Sequence, residues 1–158
     1  MALRVRRVIT GHDASGKAVV KIDEVAQHMF QGRPGATVCN VWTTEGFPVN
    51  NDGDDDAGLR KAGTTIKNGT IFRILEFAPG LAPRNHRTDS IDYIVCMSGE
   101  IDMELDDTTV HLEAGDVMVQ RGTIHNWINR GTEPCVLAVI LIAAKSVEAG
   151  GKVLRAEG

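Results

Sequence analysis

From Tyr93 onward the chain is broken by turn signals too closely spaced for a helix of ordinary length. Ser98-Gly99, Asp106-Asp107, Ala114-Gly115 and the run Arg130 to Pro134 each separate short apolar stretches. Between the first two turns, Glu100 to Leu105 alternates strictly, which places Ile101, Met103 and Leu105 on one face of a strand. Tyr93 to Met97 and Cys135 to Ile142 are continuous apolar runs of strand length. Strands punctuated by turns roughly every eight to twelve residues predict an antiparallel sandwich or barrel.

The rest of the chain reads as additions to that unit. Arg7 to Thr10 and Ala18 to Ile22 flank "GHDASGK" and predict a hairpin. Ala36 to Thr43 and Thr70 to Phe77 are two further strands, separated by a polar, Gly-rich, acidic insertion loop. "AQHMF" around His28 predicts a short turn or helix, and Ala143 to Ala149 a short C-terminal helix. The expected organisation is one structural domain. Within it, residues 1–70 pack on the barrel as N-terminal strands and acidic loop, 71–145 form the barrel core, and 146–158 form a tail.

Composition narrows the function. A 158-residue chain with 42% hydrophobic residues buries a core without disulfide staples. The net charge of −4 argues against a general nucleic-acid binder, which needs a basic surface. The three cysteines, Cys39, Cys96 and Cys135, all lie in strand-like runs and read as reduced, packed thiols. No apolar stretch follows Met1 as a secretory signal does, and Cys135 to Ala144 is too short to span a bilayer. The expectation is a cytoplasmic protein with neither nucleic-acid nor membrane partners.

Several motifs fail on inspection. "GHDASGKA" has phosphate-loop spacing, but Ala18 stands where Ser or Thr is required and a strand follows instead of a helix. "DGDDDAG" (Asp52 to Gly58) lacks the calcium-loop glycine and final glutamate, so it reads as a solvated acidic loop. His12 and His28 are isolated, and His111 has the solvent parity of its strand. His86 and His125 differ, because they fall in two glycine-bounded, strand-rich segments. Positions 86, 88, 90 and 92 share parity, so one strand face carries His86, Thr88 and Asp92. His125, Trp127 and Asn129 share a face in the second segment. If both faces point inward they line one cavity. Arg73 has the parity of Leu75 and Phe77; it either enters that cavity to meet a substrate carboxylate or lies outside, paired with Glu76.

The two segments, "HRTDSIDYIVCMSGE" and "GDVMVQRGTIHNWIN", resemble the paired motifs of the cupin superfamily. In the first, aligned on Gly99, His86 takes the leading histidine position, Thr88 the second histidine and Asp92 the glutamate. In the second, Gly115, Gly122, His125 and Asn129 match, while Gln120 or Arg121 stands at the proline position. The likeness spans Phe72 to Ile142. It implies an all-β fold: a double-stranded β-helix, or jelly-roll barrel, with extra N-terminal strands. It also implies a ligand cavity within the barrel and a homodimer.

The departures bear on chemistry. Thr88 replaces a histidine, and Asp92 is shorter than glutamate by one methylene, about 1.5 Å. His86, Asp92 and His125 remain, two imidazoles and a carboxylate, a set that suits a divalent metal such as iron, manganese, zinc or nickel. The same three residues also make a metal-free acid–base cluster. Thr88, Arg73 and Trp127 complete the expected substrate pocket. The resemblance thus implies an enzyme acting on an organic acid or an aromatic, polyketide-like compound by oxygenation, decarboxylation or dehydration. The alternatives are a metal-free isomerase or dehydratase, and a non-catalytic binding or sensing protein.

Overall fold

The computed structural model describes residues 2–158, and thirteen β-strands account for nearly all of its regular structure. The main sheet has six strands in the order β3 (Met29–Arg33), β4 (Ala36–Glu45), β5 (Gly69–Phe77), β11 (Cys135–Ala143), β6 (Ser90–Ser98), β9 (Val117–Arg121). A second sheet of three strands has the order β10 (Asn126–Ile128), β7 (Glu100–Glu104), β8 (Thr109–Glu113). All of the pairings are antiparallel, as the turn spacing predicts. The fold is the expected jelly-roll barrel.

Period-two patterning drives closure. On β11, Cys135, Leu137, Val139 and Leu141 are buried while the residues between them are half-buried. The inward set meets Ile71, Ile94, Ile101, Met103, Leu112 and Trp127 in one cluster between the sheets. The strand's other face is covered in part by a second cluster, where Val5, Ala26, Cys39, Val41 and Ile74 pack with Val136 and Ala138. A strand covered on both faces reads as a continuous apolar run, which is how β11 reads. The three cysteines are buried and unbridged. Gly99 turns β6 into β7 at φ 73, and a Cβ there would stand 2.5 Å from the Pro134 carbonyl oxygen. The turn therefore requires glycine on both backbone and steric grounds.

The N-terminal hairpin, β1 (Arg6–His12) with β2 (Ala18–Val25), forms as expected. Its loop is organised by Asp13, whose Oδ1 accepts from the Ser15 and Lys17 amides, so "GHDASGK" is the turn of the hairpin. The acidic stretch is anchored to this hairpin: Lys21 pairs with Asp54, and Arg7, 2% exposed, is clasped by Asp56 and Glu24.

Two expectations are corrected. Residues 143–149 do not form a helix. Val147–Ala149 (β12) pairs with Lys152–Leu154 (β13) across Gly150-Gly151, both at positive φ. Two consecutive residues at positive φ suit a tight hairpin turn, and the Gly-Gly signal outweighs the helix propensity of the alanines. The "AQHMF" segment likewise contains no helix: Met29 opens β3, and His28 Nε2 bonds the Asn40 carbonyl 2.7 Å away.

Arg7 beside Asp56 holds that carboxyl below the ordinary carboxylate range, against the smaller opposing effect of burial. A depressed folded-state pKa contributes stability that is present above the unfolded value and lost as pH falls through the folded one. Asp56→Asn is expected to lower unfolding free energy by roughly 1.5–3 kcal/mol at neutral pH, the usual worth of a hydrogen bond to a charged group. In urea titrations the difference from wild type should shrink progressively below about pH 3.8; a pH-independent difference would show that the ion pair is not its source.

Candidate active site

The site begins with a backbone contact between the two motif segments. The His86 amide donates to the His125 carbonyl at 3.0 Å, and the His125 amide donates back to His86 at 2.9 Å. Residues exchanging both bonds are directly opposite, so their side chains leave on the same face. The two imidazole centroids lie 4.2 Å apart.

Each ring is fixed by a second bond. His86 Nδ1 lies 3.0 Å from the Arg84 carbonyl oxygen and His125 Nδ1 2.8 Å from that of Thr123. A carbonyl only accepts, so both Nδ1 atoms carry the proton and both Nε2 atoms hold lone pairs. Burial keeps the rings neutral: it pushes the His86 pKa down to about 4 and lowers that of His125.

The strand leading to β6 delivers the expected face. His86, Thr88, Ser90 and Asp92 are all buried, at the alternation the sequence predicts. They are linked in series: Thr88 Oγ1 lies 2.7 Å from Ser90 Oγ, which donates to Asp92 Oδ1 at 2.6 Å. Asp92 Oδ2 accepts from the Gln120 amide at 2.7 Å, and the same nitrogen lies 3.3 Å from His125 Nε2. Burial raises the Asp92 carboxyl above the ordinary range despite these donors.

These groups face a cavity of about 290 Å³ inside the barrel. Arg73 and Trp127 line it as well, so all six expected site residues come together. Arg73 points inward. It bonds the Asn40 side chain at 3.0 Å and the Gly63 carbonyl at 2.8 Å. Trp127 forms a wall, with Phe77 at 6.2 Å and His125 edge-on at 6.1 Å between centroids. Ala62, Gly63 and Thr64 close one side, so the cavity is bordered by the end of the insertion and not by its acidic stretch. Asn129 serves the fold: its amide donates to the Phe77 and Glu133 carbonyls and its oxygen accepts from the Gly131 amide.

Three cavity residues escape the sequence reading as site members. Gln120 is one of the two residues that can stand at the motif's proline position; its parity with the core-facing Met118 is the one available signal, and Arg121 is exposed. Arg33 ends β3 just before Pro34, and Arg84 follows Pro83 in the connection to β6; both stretches look like surface loops in the sequence. Outside the cavity, exposed Glu100, His111 and Glu113 bring ligand atoms within 4.8 Å of one another, the one such group among the described residues. His111 faces solvent there as expected. Its pKa is raised chiefly by Asp102, which bonds Nδ1 at 2.6 Å. His86, Asp92 and His125 do not meet that spacing, because the Gln120 amide lies between the carboxylate and His125.

The cupin-domain family, Cupin_2, matches residues 73–141. A cupin-domain-containing oxidoreductase, fogC of Aspergillus ruber, is 34% identical over 157 residues, covering 94% of this chain and 77% of the relative. The phomopsin biosynthesis cluster protein C′ of Diaporthe leptostromiformis is 36% identical, with 94% and 83% covered. Among solved structures, the cupin domain of Schizosaccharomyces pombe Cnp3 superposes with a TM-score of 0.53 at 11% identity, covering 87% of each chain. KdgF from Halomonas sp. superposes at 0.50 with 15% identity, covering 73% of this chain and 86% of that one. These two structural likenesses show the fold.

The Thr88–Ser90–Asp92 series makes a graded prediction. Ser90→Ala removes a donor from a buried carboxylate and is expected to cost about 1–3 kcal/mol in urea unfolding. Thr88→Val, one step further from the charge, should cost less; the reverse order would show that Ser90 does not support Asp92.

Proposed function

The chain is a member of the cupin superfamily, and on that premise we propose that it is a small-molecule enzyme whose reaction centre is His86, His125 and Asp92. The observation carrying this reading is the pair of imidazoles, each held through Nδ1 by a backbone carbonyl, that shares a partly apolar cavity with a buried carboxylate joined to His125 through Gln120. The named relatives, an oxidoreductase and a biosynthesis cluster protein, support an oxidative or related step in building an organic product. The substrate is an organic acid or an aromatic, polyketide-like compound, walled by Trp127 and Phe77.

The donor set fits a divalent metal in kind. Two imidazoles already have their distal nitrogens bonded to backbone carbonyls, the arrangement that orients metal-ligating histidines. The buried Gln120 Oε1 has no hydrogen-bond partner, which leaves an oxygen donor uncommitted beside them. Asp92 would be the carboxylate ligand, which requires Gln120 to give up its bond to Oδ2. Iron, manganese, zinc or nickel, held there, would supply Lewis-acid or redox activation of a substrate oxygen. The protein's own part is to orient: Ser90 holds Asp92, and the Arg84 and Thr123 carbonyls hold the ring tautomers.

The Gln120 bridge favours a second reading, without metal. There Asp92 and His125, linked through one amide, work as an acid–base pair for dehydration or isomerisation. Metal analysis of protein purified without chelators separates the two. The first reading expects about one divalent ion per chain. His86→Ala and His125→Ala should weaken retention by at least the roughly 10–100-fold that loss of an outer-shell partner costs. A wild-type protein that is metal-free and takes up none of the four ions would leave the acid–base reading alone.

We also propose a homodimer built on the outer face of β6 and β9. Tyr93, Val95, Met97, Val117 and Val119 are 41–73% exposed there, on adjacent paired strands. Such a contiguous apolar stripe marks an association surface. Light scattering on a sizing column is expected to report a dimer, and Val119→Lys a monomer. A monomeric wild type would remove the interface.

A further inference from the structure

The charges around the cavity do not balance. Arg33, Arg73 and Arg84 line it, with Asp92 as the one acidic residue. Asp92 spends its oxygens on Ser90 and Gln120. Arg84 is engaged elsewhere, donating through Nε and Nη2 to the Gly158 carbonyl. Arg33 and Arg73 have no acidic partner among the described residues.

Arg73 is 7% exposed, and both of its acceptors are neutral. Burial pulls its pKa down to about 10, which still leaves it charged near neutral pH. Arg33 donates Nε to the Ala82 carbonyl at 3.0 Å and lies over the Phe77 ring, 5.5 Å from the centroid. Its Nη2 is buried with no partner. A buried guanidinium without a carboxylate is costly to the empty protein, and an incoming anion relieves that cost.

The two cations occupy different depths. Arg33 lies over Phe77, whose ring is 6.2 Å from that of Trp127, itself 6.1 Å from the His125 ring. On β5, Arg73 is four residues from the Phe77 that underlies Arg33, about 13 Å along the strand.

We infer that the cavity selects organic carboxylates, that Arg33 receives the carboxylate beside the histidine pair, and that Arg73 strengthens the preference from the far end. Arg33 is therefore a specificity-determining residue. The planar guanidinium over Phe77 suits a carboxylate, which would bond Nη2 once a small shift uncovers it. The inference deepens the enzyme reading above and rests on the same cavity.

Trans-cinnamate and cinnamamide, alike in shape and different in charge, test it by calorimetric titration at constant ionic strength. Cinnamate is expected to bind at least about tenfold tighter. Arg33→Gln should abolish most of that preference, with Arg73→Gln and the conservative Arg73→Lys reducing it less. Equal affinity for the two probes, no saturable cinnamate binding, or an unchanged preference in folded Arg33→Gln protein would overturn the inference. Failure of the enzyme reading is separately visible, because the cinnamate preference and its loss in Arg33→Gln are binding readouts that stand whether or not turnover is found.

Discussion

The site depends on two backbone hydrogen bonds, those exchanged by His86 and His125. They join segments that are distant in sequence, the approach to β6 and the approach to β10. They also belong to different sheets, so the bridge helps draw the two layers together at one end of the barrel. Because the residues are directly opposed, the same bonds send both imidazoles to one side. The proposed reaction centre depends on that orientation.

Around the bridge the protein keeps charge low where it is costly and leaves it unpaired where it is useful. The histidines are neutral because they are buried and because their Nδ1 protons are committed to carbonyls. Asp92 is buried as well, yet every donor near it is uncharged: a hydroxyl on one oxygen, an amide on the other. The guanidiniums of Arg33 and Arg73 are the uncompensated charges, and they point into the space a ligand would fill. Pre-organised dipoles and unpaired cations of this sort favour an anionic guest over water.

Much of this was legible in the sequence. The alternation of Ile101, Met103 and Leu105, the glycine turns and the parity of His86, Thr88 and Asp92 are local patterns, and each appears where the pattern puts it. The two motif segments resembled cupins closely enough to assign the barrel. What the sequence hid is of two kinds. Gln120, Arg33 and Arg84 reach the cavity through long-range packing, and a polar residue in a strand or loop carries no mark of which space its far end enters. At the C-terminus the competing signals are local: Gly150-Gly151 encodes a hairpin turn, and it prevails over the helix propensity of the neighbouring alanines. Whether Asp92 faces His125 directly or through an amide also lay beyond the motif, since the motif position of Gln120 normally holds a proline.

The central claim is that both cavity histidines are neutral, protonated on Nδ1 and unprotonated on Nε2. Long-range proton–nitrogen correlation NMR on imidazole-¹⁵N-labelled protein at neutral pH reads this directly. The signals of His86 and His125 can be assigned by substituting each in turn. Two Nδ1–H tautomers, with Nε2 shifts of bare, pyridine-type nitrogen in metal-free protein, are the predicted result. An imidazolium or an Nε2–H tautomer at either position would contradict the account.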